Sequence, residues 1–462
     1  MRKPSSRELV AETPVGASFR DPAGFVFKDQ AGVIHRHITP QGRADYELLM
    51  ESGLYAALIK EGLLVDHTPN RPATEEALVI KPRQIPVISY PFEWSFSQLR
   101  DAALLTLAIQ KLALQYKMTL KDSSAYNVQF VDGKPIFIDT LSFEGYEPGK
   151  PWQAYRQFCQ HFLAPLALMA YTDVRLSQLL RVYIDGIPLD LTAKLLPRTA
   201  KIRPGLGMHI VMHGRAQQAK ASEHTPSARN VAQSSLEAIL SSLERSIKKL
   251  KTPNNATEWG DYYDKTNYTP SAADEKAKLL TALLKPLKAK TALDLGGNNG
   301  RYSRVLNAIG IDTICSDIDP NAVEANYQFS RQHKESQMLP LLVDLTNPGG
   351  SLGWANAERE PIHERLQTDV VMALALVHHL AISNNLPFDL IARYFKQFSL
   401  YLVLEFVPKE DSQVQKLLST RKDIFPDYNE SSLKQAFGEH YKLINEAKIQ
   451  GTMRTLYLFK RK

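Results

Sequence analysis

Between residues 290 and 460, short apolar runs alternate with stretches of helical periodicity. The runs fall at Ala292–Leu295, Ile314–Ser316, Met338–Val343, Asp369–Ala375 and Tyr401–Glu405. Runs without inside–outside alternation predict strands covered on both faces, and helix-length spacers between them predict a parallel, doubly wound sheet. The pattern then changes. Tyr441–Ile449 and Arg454–Lys460 flank a turn at Gly451, which predicts a terminal antiparallel hairpin. Residues 1–210 read as α+β. Strands are expected within Ser18–Ile38, at Ala77–Ile80 and at Pro86–Tyr90, with helices over Ala44–Glu61 and Phe96–Tyr116. Residues 211–255 hold few large apolar groups and read as a linker, within which Leu236, Ile239, Leu243 and Ile247 recur at helical spacing. The expected organisation is therefore a domain over 1–210, a linker with a short amphipathic helix over 211–255, and a second domain over 256–462. No internal repeat is visible.

Composition narrows the class. A chain of 462 residues, 44% hydrophobic and 23% charged, suits a soluble protein of two or three domains. Its formal charge of +7 is spread along the chain rather than gathered in a run, so a solvated surface is expected and nucleic acid is not the expected partner. Two cysteines, Cys159 and Cys315, support neither a disulfide framework nor a zinc site. The first residues lack the apolar core of a signal peptide. The most apolar run, Phe162–Tyr171, is too short to span a bilayer and contains Pro165. These features predict a cytoplasmic protein.

Residues 290–303 carry the chemistry. The strand ending at Leu295 runs into Gly296-Gly297-Asn298-Asn299-Gly300 and then into a helix, which aims free backbone N–H groups at a bound nucleoside. Asp317 ends the second strand, 21 residues after Gly296, and Asp344 follows the third. A glycine loop, two ordered acids and a closing hairpin together resemble the class I S-adenosylmethionine-dependent methyltransferases. The resemblance implies a Rossmann-like sheet, with S-adenosylmethionine held by Asp294, Gly296, Gly297, Asn298, Gly300, Asp317 and Asp344. Asp317 would take the ribose hydroxyls and Asp344 the adenine amino group. Asn298 stands where the family usually has glycine, a departure that asparagine's tolerance of positive φ accommodates. Asp319 reads as the acid that opens the next helix.

The fourth strand leads into His378-His379, where acceptors approach in such enzymes. Either imidazole is a candidate base, and the alternative for each is a structural hydrogen bond. Glu405 is a further candidate pocket acid. The aromatics within residues 258–263 are candidates for a flap over the cofactor or for core. The fourth strand is not followed by the Asn/Asp-Pro-Pro-Tyr/Phe motif of adenine methylation, and there is no Pro-Cys for cytosine C5 chemistry. O-, N- or carboxyl methylation of a small-molecule or glycan-type acceptor remains. The whole chain also resembles nodulation-type, NoeA-like bacterial methyltransferases.

A second resemblance lies upstream. Asp122, Asn127 and Asp139, with a hairpin between the last two, match the catalytic and metal loops of kinases and related phosphotransferases. It implies a kinase-like fold in which Asn127 and Asp139 hold magnesium if ATP binds. Arg36 lies at the phosphate-pairing strand, Lys81 comes later than that layout wants, and Glu47 or Glu51 could pair with the cation. Residues 91–94 would be the hinge. Leu120 replaces the usual histidine, Asp139 lacks the following Phe-Gly, and the glycine-rich loop is missing. Three readings stay open here: an active phosphotransferase, a nucleotide-binding relic, or turn hydrogen bonds alone. The favoured function is methyl transfer. The alternatives are an ATP-dependent phosphotransferase with a regulatory C-terminal domain and a non-catalytic binding protein.

Overall fold

The computed structural model describes residues 13–70, 78–214, 231–252, 268–419 and 422–462. The chain divides into two compact units. One comprises Met1–Phe92, Phe96–Pro253 and Gly350–Glu360, and the other Glu93–Ser95, Asn254–Gly349 and Pro361–Lys462.

In the first unit, β1 (Thr13–Pro14), β2 (Gly24–Lys28), β3 (Ile34–Ile38), β4 (His67–Pro69) and β5 (Leu78–Pro82) form an antiparallel sheet in the order β1-β2-β3-β5-β4. The helix expected over residues 44–61 is two helices, Pro40–Glu51 and Leu54–Lys60. Gly53, at φ +85°, breaks them, a left-handed conformation that glycine adopts without steric cost. Pro86–Tyr90 is no strand. Pro86 has no N–H to give a ladder, and Ser89 is paired by a side chain instead. The Ser89 amide donates to Gln129 Oε1 at 2.8 Å, and Gln129 Nε2 donates back to the Ser89 carbonyl at 3.0 Å.

The helix Phe96–Gln115 is buried on most of its faces, from Phe96 and Leu99 through Ile109 to Ala113. Its Gln110 donates to Thr119 Oγ1 and accepts the Leu120 amide at 2.7 Å, fixing β6 (Met118–Leu120) as it enters the Asp122 turn. β7 (Val128–Val131) and β8 (Lys134–Phe137) form a hairpin. Its Asp132-Gly133 turn has both φ values positive, the geometry that matches strand twist. β9 (Phe143–Gly145) pairs with β6. The helix Gln233–Lys249 buries Leu236, Leu240, Leu243 and Ile247, while Ile239 stays partly exposed.

The second unit contains β10 (Thr291–Leu295), β11 (Asp312–Asp317), β12 (Met338–Leu342), β13 (Thr368–Ala373), β14 (Ser399–Phe406), β15 (Tyr441–Lys448) and β16 (Thr455–Arg461). They form one sheet in the order β12-β11-β10-β13-β14-β16-β15. The first five are parallel, and β16 inserts antiparallel between β14 and β15. One core layer joins Leu280 and Leu284 of the helix Pro270–Leu284 to Ala292, Val370, Met372, Val403, Leu456 and Leu458. Among the described residues no helix is long and apolar enough to cross a membrane.

Candidate functional site

At the C-terminal ends of β10 to β13 a cavity of about 330 Å³ takes in Asp294, Gly296, Gly297, Asn298, Asp317, Asp344, Leu374 and His379. A crevice beyond the strand ends is where open α/β sheets bind their ligands. Gly296, Asn298 and Gly300 all have positive φ, so the loop coils tightly, with Asn298 at +51°. A Cβ at Gly297 would lie 2.7 Å from both Asp294 Oδ2 and Cys315 Sγ, so the packing there demands glycine. Gly300 closes the turn without lining the cavity, and a Cβ there would lie 2.7 Å from Asn326 Nδ2 and 2.8 Å from Arg304 Nη1.

Three carboxylates line this cavity. Asp294 is buried, its Oδ2 accepting from Ser303 Oγ at 2.6 Å, while Oδ1 is buried without a partner. Burial pushes its carboxyl up to about 7. Asp317 accepts the Asn298 amide at 2.8 Å and the Asp319 amide at 2.9 Å, and burial raises it to about 6 despite those bonds. Asp344 accepts the amide and hydroxyl of Thr346. Asp319 caps the helix Pro320–His333 through the amides of Asn321 and Ala322.

The lining also takes in the apolar Leu376, Leu380 and Leu417, together with His379, Ser383 and Asn384. The two histidines part company here. His379 lines the cavity, whereas His378 is only 2% exposed behind it, so the structure removes His378 from contact with a ligand there. Burial lowers His379 to about 4 and His378 well below its ordinary value. Ala375, at φ +48°, and the π-helical turn His379–Ser383 make this wall strained, as functional sites often are.

Glu405 is a correction. It is fully buried and absent from the cavity wall, where it was expected as a pocket acid. It binds Lys276 Nζ at 2.5 Å, the Tyr268 hydroxyl at 2.5 Å and Arg454 at 3.2 Å, and Arg454 continues to Asp411 at 2.8 Å. Lys276 and Tyr268 do line the cavity. Sequence reasoning missed both. A lysine one turn from Ala272 and from Leu280, on the buried stripe of its helix, was the available signal. The aromatics of residues 258–263 lie outside the described residues.

In the first unit, Arg36, Asp122, Asn127 and Asp139 converge. Arg36 binds Asp139 at 2.6 Å and Asp21 at 2.9 Å. Asp122 accepts the Ser124 amide at 2.8 Å, and its carboxyl is raised by burial and by the charge of Asp139. The expected acidic partners of a phosphate-pairing cation are elsewhere: Glu47 pairs with Arg43 on its own helix, and Arg36 uses Asp21 instead.

The strand order and the antiparallel β16 give the second unit the fold of the class I S-adenosylmethionine-dependent methyltransferases, with a glycine loop and carboxylates at its cavity. No family model matches the chain. The nodulation protein NoeA of Rhizobium meliloti (strain 1021) is 34% identical over 478 residues, spanning all of both chains. The chain belongs to the NoeA family. Among solved structures, the N-methyltransferase NodS from Bradyrhizobium japonicum WM9 is 14% identical over 42% of this chain and 97% of its own, with a TM-score of 0.31. The magnesium protoporphyrin IX methyltransferase ChlM of Synechocystis PCC 6803 is 16% identical over 44% and 92%, with a TM-score of 0.32. The bifunctional kinase-methyltransferase WbdD is 15% identical over 41% and 38%, with a TM-score of 0.29. At these TM-scores the likenesses add nothing to the strand order itself.

Proposed function

We propose that the second unit binds S-adenosylmethionine in the cavity at the ends of β10 to β13 and methylates a small-molecule or glycan-type acceptor. The observation that carries this reading is Asp294 Oδ1, a buried acceptor with no partner on a residue that lines the cavity together with the glycine loop. A buried carboxylate oxygen left unmet is costly, and the cofactor's ammonium supplies the missing donor. Asp317 lies at the end of the next strand, where a carboxylate suits ribose hydroxyls, and Asp344 at the following one suits the adenine amino group. Lys276 and Tyr268, held by Glu405, also line the cavity, and the Lys276 charge acts on Asp294.

When bound, the cofactor supplies an activated methyl group, so the protein's work is alignment and proton handling. His379, neutral above about pH 4, takes the proton of a hydroxyl or amine acceptor at a ring nitrogen. Leu376, Leu380 and Leu417 give the cavity apolar surface that disfavours water.

The reading is tested by calorimetric titration with S-adenosylhomocysteine. The wild type is expected to bind with a Kd on the order of micromolar, and Asp317→Ala to bind at least about fivefold more weakly. No binding by the wild type would overturn it. For the first unit we favour a degenerate phosphotransferase-like fold. What supports this is the order of sheet, paired helices, long helix, Asp122 turn and hairpin, together with the meeting of Arg36, Asp122, Asn127 and Asp139.

A further inference from the structure

The Asp122, Asn127 and Asp139 cluster has the residue types of a magnesium site, but its lone pairs are already committed. Asp139 Oδ1 receives Arg36 Nη1 at 2.6 Å and the Leu141 amide at 3.0 Å. Its Oδ2 receives Ser142 Oγ at 2.6 Å, and that hydroxyl in turn accepts from Asn127 Nδ2 at 3.2 Å. Asp122 takes the Ser124 amide. The second end of the Arg36 guanidinium reaches Asp21 Oδ2 at 2.9 Å. The side chains of Arg36 and Asp139 are only 11% and 13% exposed.

We infer that Arg36 occupies the place of a divalent cation, and that this cluster is a metal-free clamp joining β3 to the turn after β8. Magnesium demands close to six oxygen ligands at about 2.1 Å and gives up its waters reluctantly. To enter, it would have to strip Asp139 of a paired guanidinium and leave that buried charge facing a dication, and breaking a buried pair in this way is strongly unfavourable. Asn127 points the wrong chemistry inward for a metal as well, since its amide nitrogen is the donor to Ser142. Arg36 Nε is buried without a partner, and an unmet N–H calls for an acceptor rather than a cation. The planar guanidinium suits two carboxylates at once, so it does for Asp21 and Asp139 what a bridging metal would do. Two consequences follow for the chain. Magnesium-ATP does not fit here as in an active phosphotransferase, and the charge balance of the clamp depends on one side chain.

The test is manganese binding to the full-length protein, followed by the loss of the free-ion electron paramagnetic resonance signal. The wild type is expected to immobilise no ion that Asp139→Asn releases, with or without ATP. Arg36→Met leaves Asp21 and Asp139 without a counter-charge and is expected to gain one ion, held at least about tenfold more tightly than by the wild type. That ion should vanish in the double variant Arg36→Met/Asp139→Asn. Manganese held by the wild type and released by Asp139→Asn would overturn the inference, as would a folded Arg36→Met protein that gains nothing. If Arg36→Met does not fold, the comparison of wild type with Asp139→Asn decides alone. Manganese held equally by those two proteins lies elsewhere and supports a closed cluster. None of these outcomes depends on methyl transfer by the other unit.

Discussion

Asp294→Asn should make the free protein more stable at alkaline pH while it weakens the cofactor site. Burial raises the Asp294 carboxyl from 3.8 to about 7. Between those values the native state keeps a proton that the unfolded chain has lost, so stability falls as pH rises through the window and levels off above about 7. The rise corresponds to a ceiling of about 4 kcal/mol, and the adjoining cavity lets water relax this to about 1–2 kcal/mol. Asparagine keeps an acceptor for Ser303 Oγ and carries no charge, so it escapes that cost. At pH 5 the wild type bears only about a third of that cost, so the two proteins should unfold closer together there than at any higher pH. At pH 8 the variant should unfold about 3–8 °C higher. Its affinity for S-adenosylmethionine should fall about tenfold or more, because the ammonium loses its charged partner. Thermal unfolding from pH 5 to 8, with calorimetric titration at pH 8, checks both arms. A melting difference that does not change with pH would refute the reasoning.

Three further outcomes are expected. Lys276→Met leaves Glu405 buried with half its counter-charge and should cost about 3–5 kcal/mol in thermal unfolding, part of which Lys276→Met/Glu405→Gln should restore. Gly297→Ala places a methyl 2.7 Å from Asp294 Oδ2 and Cys315 Sγ, so it should cost about 1–3 kcal/mol and weaken S-adenosylhomocysteine binding measured by calorimetry. His379→Ala should lower kcat about 100-fold with S-adenosylhomocysteine affinity within about threefold. At saturating S-adenosylmethionine the wild-type kcat should be flat from pH 6 to 8 and fall only toward the value of about 4 at which His379 gains its proton.

The sheet of the second unit is legible in the chain because its strands are buried on both faces. Leu293, Ile314, Met372 and Val403 belong to apolar runs that no surface helix would carry. The carboxylates Asp294, Asp317 and Asp344 were legible for a related reason: each ends or follows a strand, and parallel strands deliver their C-terminal ends to one edge. What stayed hidden depends on contacts far apart in sequence. Lys276 meets Glu405 across 129 positions, and Gln129 stands in for a strand partner of Ser89 across 40. Adjacency hid the difference between His378 and His379. One residue of rotation in a tight turn puts one ring at the cavity and the other in the core. Arg36 was placed by strand position, but no local pattern shows that its partners are Asp21 and Asp139.

The position of β16 bears on how the second unit is made. Thr455–Arg461 follows every other strand in the chain, yet it lies inside the sheet with β14 on one side and β15 on the other. Arg454, just before it, supplies the cation between Glu405 and Asp411. Until those residues have left the ribosome, the β14 edge is bare, the Glu405 carboxylate lacks Arg454, and β15 has no partner. A nascent domain in that condition exposes a pairing-competent edge to other chains. Translation that stalls or stops within the final hairpin should therefore yield an aggregating product rather than a shortened, weakened enzyme.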